Sequence, residues 1–295
     1  MVLERPSWLK KRLPLGRATK RMEQELMTHC VHTICQEACC PNQGECFSKG
    51  IATFLIMGDI CTRDCRFCAV KRGVPAPLDK DEPMRLAREV SRLGLRFVVI
   101  TSVTRDDLPD GGAGHFAKTI RAVQELCRGI GIEVLTPDFK GSKNSLKRVV
   151  DAKPEVFNHN VETVPRLYPA VRPQADYRRS LRLIEAVKKI DNRIVTKSGL
   201  MVGLGERKKE IVNVMYDLRQ VGCDLITIGQ YLSPSRSHYP VARYVRPEDF
   251  EEYREIALEM GFKGVASSPF VRSSYMAEKY YTKALAQFQE HRIAN

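Results

Sequence analysis

Between residues 51 and 270 the sequence alternates between short apolar stretches and amphipathic ones, and this alternation limits the possible folds. The apolar stretches, rich in β-branched residues, are predicted to be strands at 51–58, 96–101, 132–136, 155–159, 193–202 and 224–229, with another at 263–267. The amphipathic stretches are predicted to be helices at 83–93, 115–128, 142–150, 176–189, 206–221, 247–260 and 275–290. Strands that alternate with helices indicate βαβ units and a parallel sheet.

The number of these units favours a barrel over an open sheet. No GxGxxG motif follows the first strand, as it would in a dinucleotide-binding fold. A complete barrel has eight units in about 250 residues, and only six are visible here. We therefore predict an α/β protein with a partial (β/α)6 TIM-like barrel at 51–267, preceded by an N-terminal Cys-rich extension (1–50) and followed by a C-terminal helical segment (268–295). The chemistry of such a barrel lies at the carboxyl ends of its strands.

Ten cysteines give the next constraint, because eight of them fall between Cys30 and Cys68. The N-terminus has basic residues but no apolar core of a signal peptide, so we expect a cytoplasmic protein. Thiols stay reduced in the cytosol, which disfavours a disulfide framework and favours metal or cluster ligands. No apolar run approaches the ~20 residues of a membrane span, and no membrane association is expected.

The first group of thiols has the spacing CxxxCxxC and follows the first predicted strand directly. Cys61, Cys65 and Cys68 can hold three irons of a [4Fe–4S] cluster and leave the fourth iron open for a small molecule. A zinc site is the alternative, but zinc sites use four ligands and no fourth cysteine lies nearby. Phe67, between the last two cysteines, is a candidate to pack against an adenine.

A second group of thiols lies in the N-terminal extension. Cys35, Cys40 and Cys46 could hold another iron–sulfur cluster. Cys30 and Cys39 allow competing registers, and a Cys35-x3-Cys39 pair is possible on spacing alone. Spacing by itself leaves these alternatives open.

Together the two groups resemble the lipoyl synthase family of the radical S-adenosylmethionine (SAM) superfamily. Five segments carry this resemblance over nearly the whole chain: RPSWLKKRLP at 5–14, ATFLIMGDICTRDCRFCAV at 52–70, TSVTRDDLPDGGA at 101–113, FNHNVET at 157–163 and PFVRSSY at 269–275. Cys39 departs from the pattern, since an arginine is usual beside the second ligand of the N-terminal group.

The resemblance implies a role for each of the matching residues. Cys61, Cys65 and Cys68 would hold the cluster that cleaves SAM, while Cys35, Cys40 and Cys46 would hold an auxiliary [4Fe–4S] cluster. The auxiliary cluster's fourth ligand would be a serine of the RSSY motif, Ser274 rather than Ser273; capping of the last helix is the structural alternative. The SAM-binding positions would be Phe67, Asp110, Gly111, Gly112, Asn158, Asn160, Glu162 and Lys197. His159 and the isolated Cys127 and Cys223 are interpreted as structural residues.

The resemblance also implies a reaction and its partners. Two SAM molecules would be cleaved for each product, and two sulfur atoms of the auxiliary cluster would enter C6 and C8 of an octanoyl-lysine. The substrate would be an octanoylated lipoyl carrier domain, either an E2 subunit or the glycine-cleavage H protein. A ferredoxin- or flavodoxin-type reductant and an iron–sulfur carrier would serve a monomeric enzyme. Such carriers are typically acidic, and the basic runs at 10–12, 178–179 and 207–209 would steer them.

Other functions fit the sequence less well. Biotin synthase would draw auxiliary ligands from several barrel strands, and a tRNA methylthiotransferase would need additional domains that about 50 residues cannot supply. The net charge of +13 also allows an RNA-binding protein with structural zinc. However, no RNA-binding module is recognisable and aromatic residues are only 7%, so no nucleic-acid partner is expected.

Overall fold

The structure, a computed structural model, describes residues 4–11 and 16–293, with backbone only for 288–293. Arg12 of the first basic run lies outside the described residues. The chain forms two compact units. The N-terminal unit is Lys11–Asp64 with Cys68–Glu155, and the C-terminal unit runs from Val156 onward and includes Cys65–Phe67.

The N-terminal unit has a small helical part followed by parallel strands that alternate with helices. Its helices are α1 (Arg17–Thr28), α2 (Ile34–Glu37), α3 (Gln43–Ser48), α4 (Glu82–Arg92), α5 (Ala113–Leu126) and α6 (Lys143–Val150), with a 3-10 turn at Phe139–Gly141. Its strands are β1 (His32–Thr33), β2 (Thr53–Ile56), β3 (Ile60–Cys61), β4 (Lys71–Arg72), β5 (Phe97–Ser102) and β6 (Gly131–Leu135). The sheet runs β1-β2-β5-β6, with β1 antiparallel to β2 and the other pairs parallel. The short β3 and β4 pair separately.

The C-terminal unit repeats the alternation of strand and helix. Its strands are β7 (Val156–Asn158), β8 (Val195–Val202), β9 (Leu225–Gln230) and β10 (Gly264–Ser267), all parallel and adjacent in chain order. Its helices are α7 (Tyr168–Val171), α8 (Tyr177–Ile190), α9 (Lys208–Gln220), α10 (Pro247–Glu259) and α11 (Ala277–Ile293), with 3-10 turns at Ser7–Leu9 and Pro165–Leu167. Its core is apolar side chains of the strands and of α8, α9 and α10.

All seven predicted strands and all seven predicted helices are present, with bounds that differ by only a few residues. The periodicity sufficed because β2, β5 and β9 are buried on both faces and read as continuous apolar runs. The helices α1, α2, α3 and α7 were not predicted. In α1 the buried Met22 and Leu26 lie at helical spacing, but most of its other residues are polar, so the segment offers few apolar residues to mark it as a helix. The division of the chain at residues 50 and 267 stays a prediction.

No helix within the described ranges is both long enough and apolar enough to cross a membrane. The features that place functional residues are the carboxyl ends of the parallel strands, where each strand passes into the loop before its helix. In the N-terminal unit these loops follow β2, β5 and β6, and in the C-terminal unit they follow β7, β8 and β9.

Candidate active site

The cysteines of the N-terminal extension lie in two short helices and the turn between them. Cys35 is buried on α2, and the hydroxyl of the N-cap residue Thr33 accepts the N–H of Gln36. The backbone N–H of Cys40 donates to the carbonyl of Cys35 at 3.0 Å, which closes the turn after α2. Cys46 follows on α3 and is half-buried.

These three thiols influence one another electrostatically. Burial, with smaller contributions from Cys40 and Cys46, raises the pKa of Cys35 to about 12. Burial, Cys40 and Glu45 raise the pKa of Cys46 to about 11. Three thiolates so placed would repel one another, so a bound cation must displace their protons and neutralise their charge. Cys30 and Cys39, the competing candidates, are exposed.

The loop after β2 carries the second group of cysteines. Met57 and Gly58 end the strand with positive φ angles of 69° and 85° and redirect the chain. Cys61 lies on β3, and its Sγ accepts backbone N–H groups from Thr104 at 3.3 Å and from Arg63 at 3.5 Å. Hydrogen bonds to cluster sulfurs are one of the ways a protein adjusts an iron–sulfur cluster.

Cys65–Phe67 of the same loop belong to the C-terminal unit. The backbone N–H of Arg66 donates to the carbonyl of Val171 at 2.9 Å. The backbone carbonyl of Arg66 accepts the N–H of Tyr239 at 2.8 Å. Phe67 is half-buried against the apolar core of this unit. The phenyl ring expected to contact an adenine is therefore held from behind by core side chains.

Arg63, between two cysteines of this loop, is a residue that the sequence reasoning missed. Its guanidinium donates two hydrogen bonds to Asp106, at 2.7 and 3.0 Å, and a third to Asp138 at 2.6 Å. The Arg63 side chain is only 4% exposed. These carboxylates lie 43 and 75 residues further along the chain. The TRDD segment was noticed only for its resemblance, and no local pattern identified the partner of Arg63.

The glycines at 111–112 form the turn that opens α5. The Asp110 carboxylate accepts the N–H groups of Gly112 at 2.9 Å and Gly114 at 2.8 Å, and it pairs with Arg148 at 3.0 Å. Gly112 has a φ of 87°, and a Cβ there would overlap the sulfur of Met57. The turn and helix start that the sequence predicted are both present, and the glycine lets the Met57 side chain pack directly against this backbone.

Polar side chains follow β7 in the C-terminal unit. Asn158 ends the strand, and Asn160 is buried with its Oδ1 lacking a hydrogen-bond partner. Glu162 has a φ of 64° and accepts a hydrogen bond from the Asn160 amide at 3.0 Å. Burial raises the pKa of Glu162, and the charge of Arg172 and the bond from Asn160 oppose this rise. A buried acceptor and a carboxylate in a strained backbone indicate a site built for a polar ligand.

Lys197 and Gly199 lie on the neighbouring strand β8, where Lys197 is buried. A Cβ on Gly199 would lie 2.5 Å from Thr227 Oγ1, 2.8 Å from Ser273 Oγ and 2.9 Å from Asn160 Oδ1. Three polar groups from three parts of the unit thus converge on the space that this glycine leaves open.

The RSSY segment packs on β9 through a second glycine. A Cβ on Gly229 would overlap the carbonyl oxygen of Val271, and the N–H of Gln230 donates to the Pro269 carbonyl at 3.2 Å. Helix α11 begins at Ala277. Ser274 therefore lies three residues before the helix and does not occupy its N-cap position, contrary to the structural alternative.

Three residues interpreted as structural have ordinary surroundings. His159 is buried, and its Nε2 lies 2.9 Å from the hydroxyl of Ser180. Cys223 is buried in the core of the C-terminal unit. Cys127 is half-buried at the end of α5.

The donor set of each group of cysteines fits an iron–sulfur cluster. Each supplies three thiol ligands, and cysteine thiolates are the usual ligands of [4Fe–4S] clusters. Within 4–11 and 16–293, no three His, Cys, Asp or Glu side chains are arranged to hold a single metal ion. The buried Oδ1 of Asn160 suits the amino group of a ligand such as SAM.

Comparison with known proteins agrees with this reading. The family profile of the radical SAM superfamily matches residues 55–218. The chain is 59% identical to lipoyl synthase from Caldanaerobacter subterraneus subsp. tengcongensis over 94% of its own length and 97% of the relative's. It is 56% identical to lipoyl synthase from Caldicellulosiruptor saccharolyticus, over 95% and 98% of the two lengths.

Solved structures confirm the fold class. The FeFe-hydrogenase maturase HydG from Carboxydothermus hydrogenoformans superimposes with a TM-score of 0.57 over 78% of this chain and 65% of that one, at 14% identity. At such low identity the likeness concerns the fold alone. The predicted partial (β/α)6 barrel is thus confirmed as the radical SAM fold. Because the full-length relatives share more than half of their residues with it, the chain belongs to the lipoyl synthase family of the radical SAM superfamily.

Proposed function

We propose that this chain performs the reaction of its family, insertion of two sulfur atoms at C6 and C8 of a protein-bound octanoyl-lysine, with the two groups of cysteines in separate roles. Cys61, Cys65 and Cys68 hold the cluster that binds SAM. Cys35, Cys40 and Cys46 hold the auxiliary cluster that is the source of sulfur. The observation that supports this division is that Cys40 contributes to the raised pKa of both Cys35 and Cys46, so the three sulfurs lie close together, while Cys39 beside them is exposed.

When bound, the clusters and SAM supply the electron, the 5′-deoxyadenosyl radical and the sulfur, while the protein supplies positioning and a dry site. Cys35 is buried against β2, whose residues Phe54 and Ile56 are inaccessible to water. Water excluded in this way cannot compete with the fatty chain for reactive groups. The extension thus protects its thiolate ligands as well as supplying them.

SAM is held by backbone and side chains at the strand ends. We assign the amino group of its methionine part to the turn at Gly111–Gly112, which Asp110 fixes. Asn160 offers its buried Oδ1 as an acceptor, and the Glu162 carboxylate lies beside the Asn160 amide. Asn158, Lys197 and Phe67 complete the proposed contacts, with Phe67 against the adenine.

Ser274 is proposed as the fourth ligand of the auxiliary cluster. The hydroxyl of Ser273 lies against the space left by Gly199, near Asn160 and Thr227. Ser273 thus faces the glycine of β8, which supports Ser274 as the residue whose hydroxyl reaches the iron. Serine oxygen is a harder ligand than thiolate, and a weakly held iron would expose a sulfide to the substrate.

Lipoyl carrier proteins are the substrates of this family, and an acidic surface on them would suit the charge of this chain. Several basic residues of the predicted runs are exposed, namely Lys10, Arg178, Arg207, Lys208 and Lys209. Lys208 pairs with Glu252, so the run is partly neutralised. We propose an E2 subunit or the glycine-cleavage H protein as carrier, a ferredoxin- or flavodoxin-type reductant and an iron–sulfur carrier for repair. We also propose a monomer, with no nucleic-acid or membrane partner, in the cytoplasm, where thiols stay reduced.

An anaerobic single-turnover assay tests the reaction. Cluster-reconstituted protein, SAM, dithionite and an octanoyl-lysine peptide are mixed, and the peptide is analysed by mass spectrometry. We expect loss of two hydrogens and gain of two sulfurs, with about two 5′-deoxyadenosines per product. Formation of 5′-deoxyadenosine with an unchanged peptide would refute the substrate assignment and point to another sulfur-inserting radical SAM enzyme. No SAM cleavage by a fully loaded chain would refute the assignment of Cys61, Cys65 and Cys68.

The two serines form a matched pair for testing the fourth ligand. Ser274→Ala is expected to reduce product by at least about tenfold and to change the Mössbauer signature of one auxiliary iron, because that iron loses its oxygen ligand. Ser273→Ala removes the same atoms from the neighbouring position and is expected to keep the signature. The opposite pattern, with the signature changed only by Ser273→Ala, would assign the ligand to Ser273.

A further inference from the structure

Arg63 lies between the first two cysteines of the CxxxCxxC loop, yet its side chain is directed into the N-terminal unit. It donates from Nε and Nη2 to both oxygens of Asp106, and Nη2 also reaches Asp138 at 2.6 Å. Burial disfavours the guanidinium charge, but the bonds to Asp106 and Asp138 outweigh this cost and raise the pKa of Arg63. The side chain is thus a charged, fully engaged clamp.

The contact of Arg63 with Asp106 is one of several hydrogen bonds between the loop after β2 and the loop after β5. The N–H and the hydroxyl of Thr62 both donate to the carbonyl of Thr104, at 3.0 and 2.9 Å. The N–H of Asp106 donates back to the Thr62 hydroxyl at 3.0 Å. Asp106, the residue that holds Arg63, is therefore itself fixed to the loop that Arg63 belongs to. Such a closed set of hydrogen bonds leaves the two loops little freedom to shift against each other.

These hydrogen bonds between the two loops determine the surroundings of the Sγ atom of Cys61. The N–H of Thr104 comes from one loop and the N–H of Arg63 from the other, and both are directed at Cys61 Sγ. Hydrogen bonds to the sulfurs of an iron–sulfur cluster are one of the factors that set its reduction potential. Each N–H···S bond stabilises the extra negative charge of the reduced state, and so raises the potential.

We propose that Arg63, through Asp106 and Asp138, is a positioning residue for reduction of the SAM-binding cluster, because it holds the N–H groups of Arg63 and Thr104 on the sulfur of Cys61. The inference rests on the proposed function, in which Cys61 is a cluster ligand. Arg63 does not touch SAM or substrate in this role. It makes the cluster easier to reduce, so that a donor of moderate potential can start SAM cleavage.

The test is the midpoint potential of this cluster, measured by EPR-monitored redox titration in the full chain. Cys35, Cys40 and Cys46 are replaced by alanine in the parent and in every variant, so that one cluster remains. Arg63→Lys keeps the charge but not the planar fork that reaches two carboxylates. In Arg63→Lys we expect the ratio of reduced to oxidised cluster, at a fixed solution potential, to fall about tenfold. For a one-electron couple this corresponds to a midpoint potential about 59 mV lower.

Two further variants separate geometry from charge. Thr62→Val removes the hydroxyl that joins the two loops without changing any charge and is expected to lower the midpoint in the same direction. Arg63→Gln combined with Asp106→Asn leaves the net charge unchanged, and it too is expected to lower the midpoint. Arg166→Lys is the control, because Arg166 in the C-terminal unit makes the same kind of bidentate hydrogen bond, to Glu210 at 2.7 and 2.9 Å. Its midpoint should equal that of the parent.

The outcomes are distinct. If the one-cluster parent does not bind about four irons, the proposed role of Cys61, Cys65 and Cys68 fails before Arg63 is tested. If the parent is loaded and both Arg63→Lys and Thr62→Val keep its midpoint, the positioning role of Arg63 is wrong while the proposed function stands. If the midpoint falls in Arg63→Lys but stays at the parent value in both Thr62→Val and the charge-neutral double variant, the hydrogen bonds that fix the two loops do not set the potential, and the inference is overturned.

Discussion

Replacing Cys46 by alanine is expected to abolish sulfur insertion while SAM cleavage continues. Cys46 is the half-buried thiol of α3, and its pKa is raised by burial and by the neighbouring Cys40. Without it the auxiliary cluster has two thiol ligands and should not assemble. Iron content should fall from about eight to about four per chain. Mass spectrometry of the octanoyl peptide should show no sulfur product, while 5′-deoxyadenosine is still formed.

Cys39→Ala is the matched control for this experiment. Cys39 lies in the same short segment but is exposed, and its backbone has a φ of 50°. Its replacement should leave both the iron content and the sulfur product unchanged. If Cys39→Ala loses four irons and Cys46→Ala does not, the register of the auxiliary ligands is the Cys35-x3-Cys39 alternative.

Replacing Gly229 by alanine is expected to lower the ratio of sulfur product to 5′-deoxyadenosine by about a hundredfold. A side chain there would overlap the carbonyl oxygen of Val271, which is backbone and cannot rotate away. The segment must therefore move off β9 and carry Ser274 with it. Displacement by about 1 Å is enough to cost a hundredfold in rate. Overpacking should also reduce the free energy of unfolding by about 1–3 kcal/mol, which thermal unfolding would register.

Gly16→Ala provides the control for a glycine-to-alanine change. Gly16 precedes α1 with a φ of −84°, and no atom lies within 4 Å of where its Cβ would be. Its product ratio should match that of the parent. If folded Gly229→Ala has the same ratio of sulfur product to 5′-deoxyadenosine as the parent, the packing of the RSSY segment against Gly229 does not position it for catalysis.

The prediction of the barrel from the sequence worked because its strands and helices are determined locally. Buried parallel strands such as β5 and β9 read as apolar runs, and α8 presents its apolar residues at helical spacing. The candidate cluster ligands were also found locally, since the three cysteines of each group lie within eight or twelve residues of chain. The turn at Gly111–Gly112 was recognised for the same reason.

What the tertiary structure decided depends on partners far apart in the chain. The sequence left the register of Cys35, Cys39, Cys40 and Cys46 open, and only folding buries Cys35 and exposes Cys39. The sequence also could not show that Arg63 pairs with Asp106 and Asp138, or that Gly229 packs against Val271, because these partners are distant in the chain. Arg63 meets Asp138 across 75 residues, and Gly229 meets a carbonyl 42 positions later (271 − 229). Local composition fixes periodicity and spacing, but burial and hydrogen bonds between distant segments exist only once the strands have been brought together.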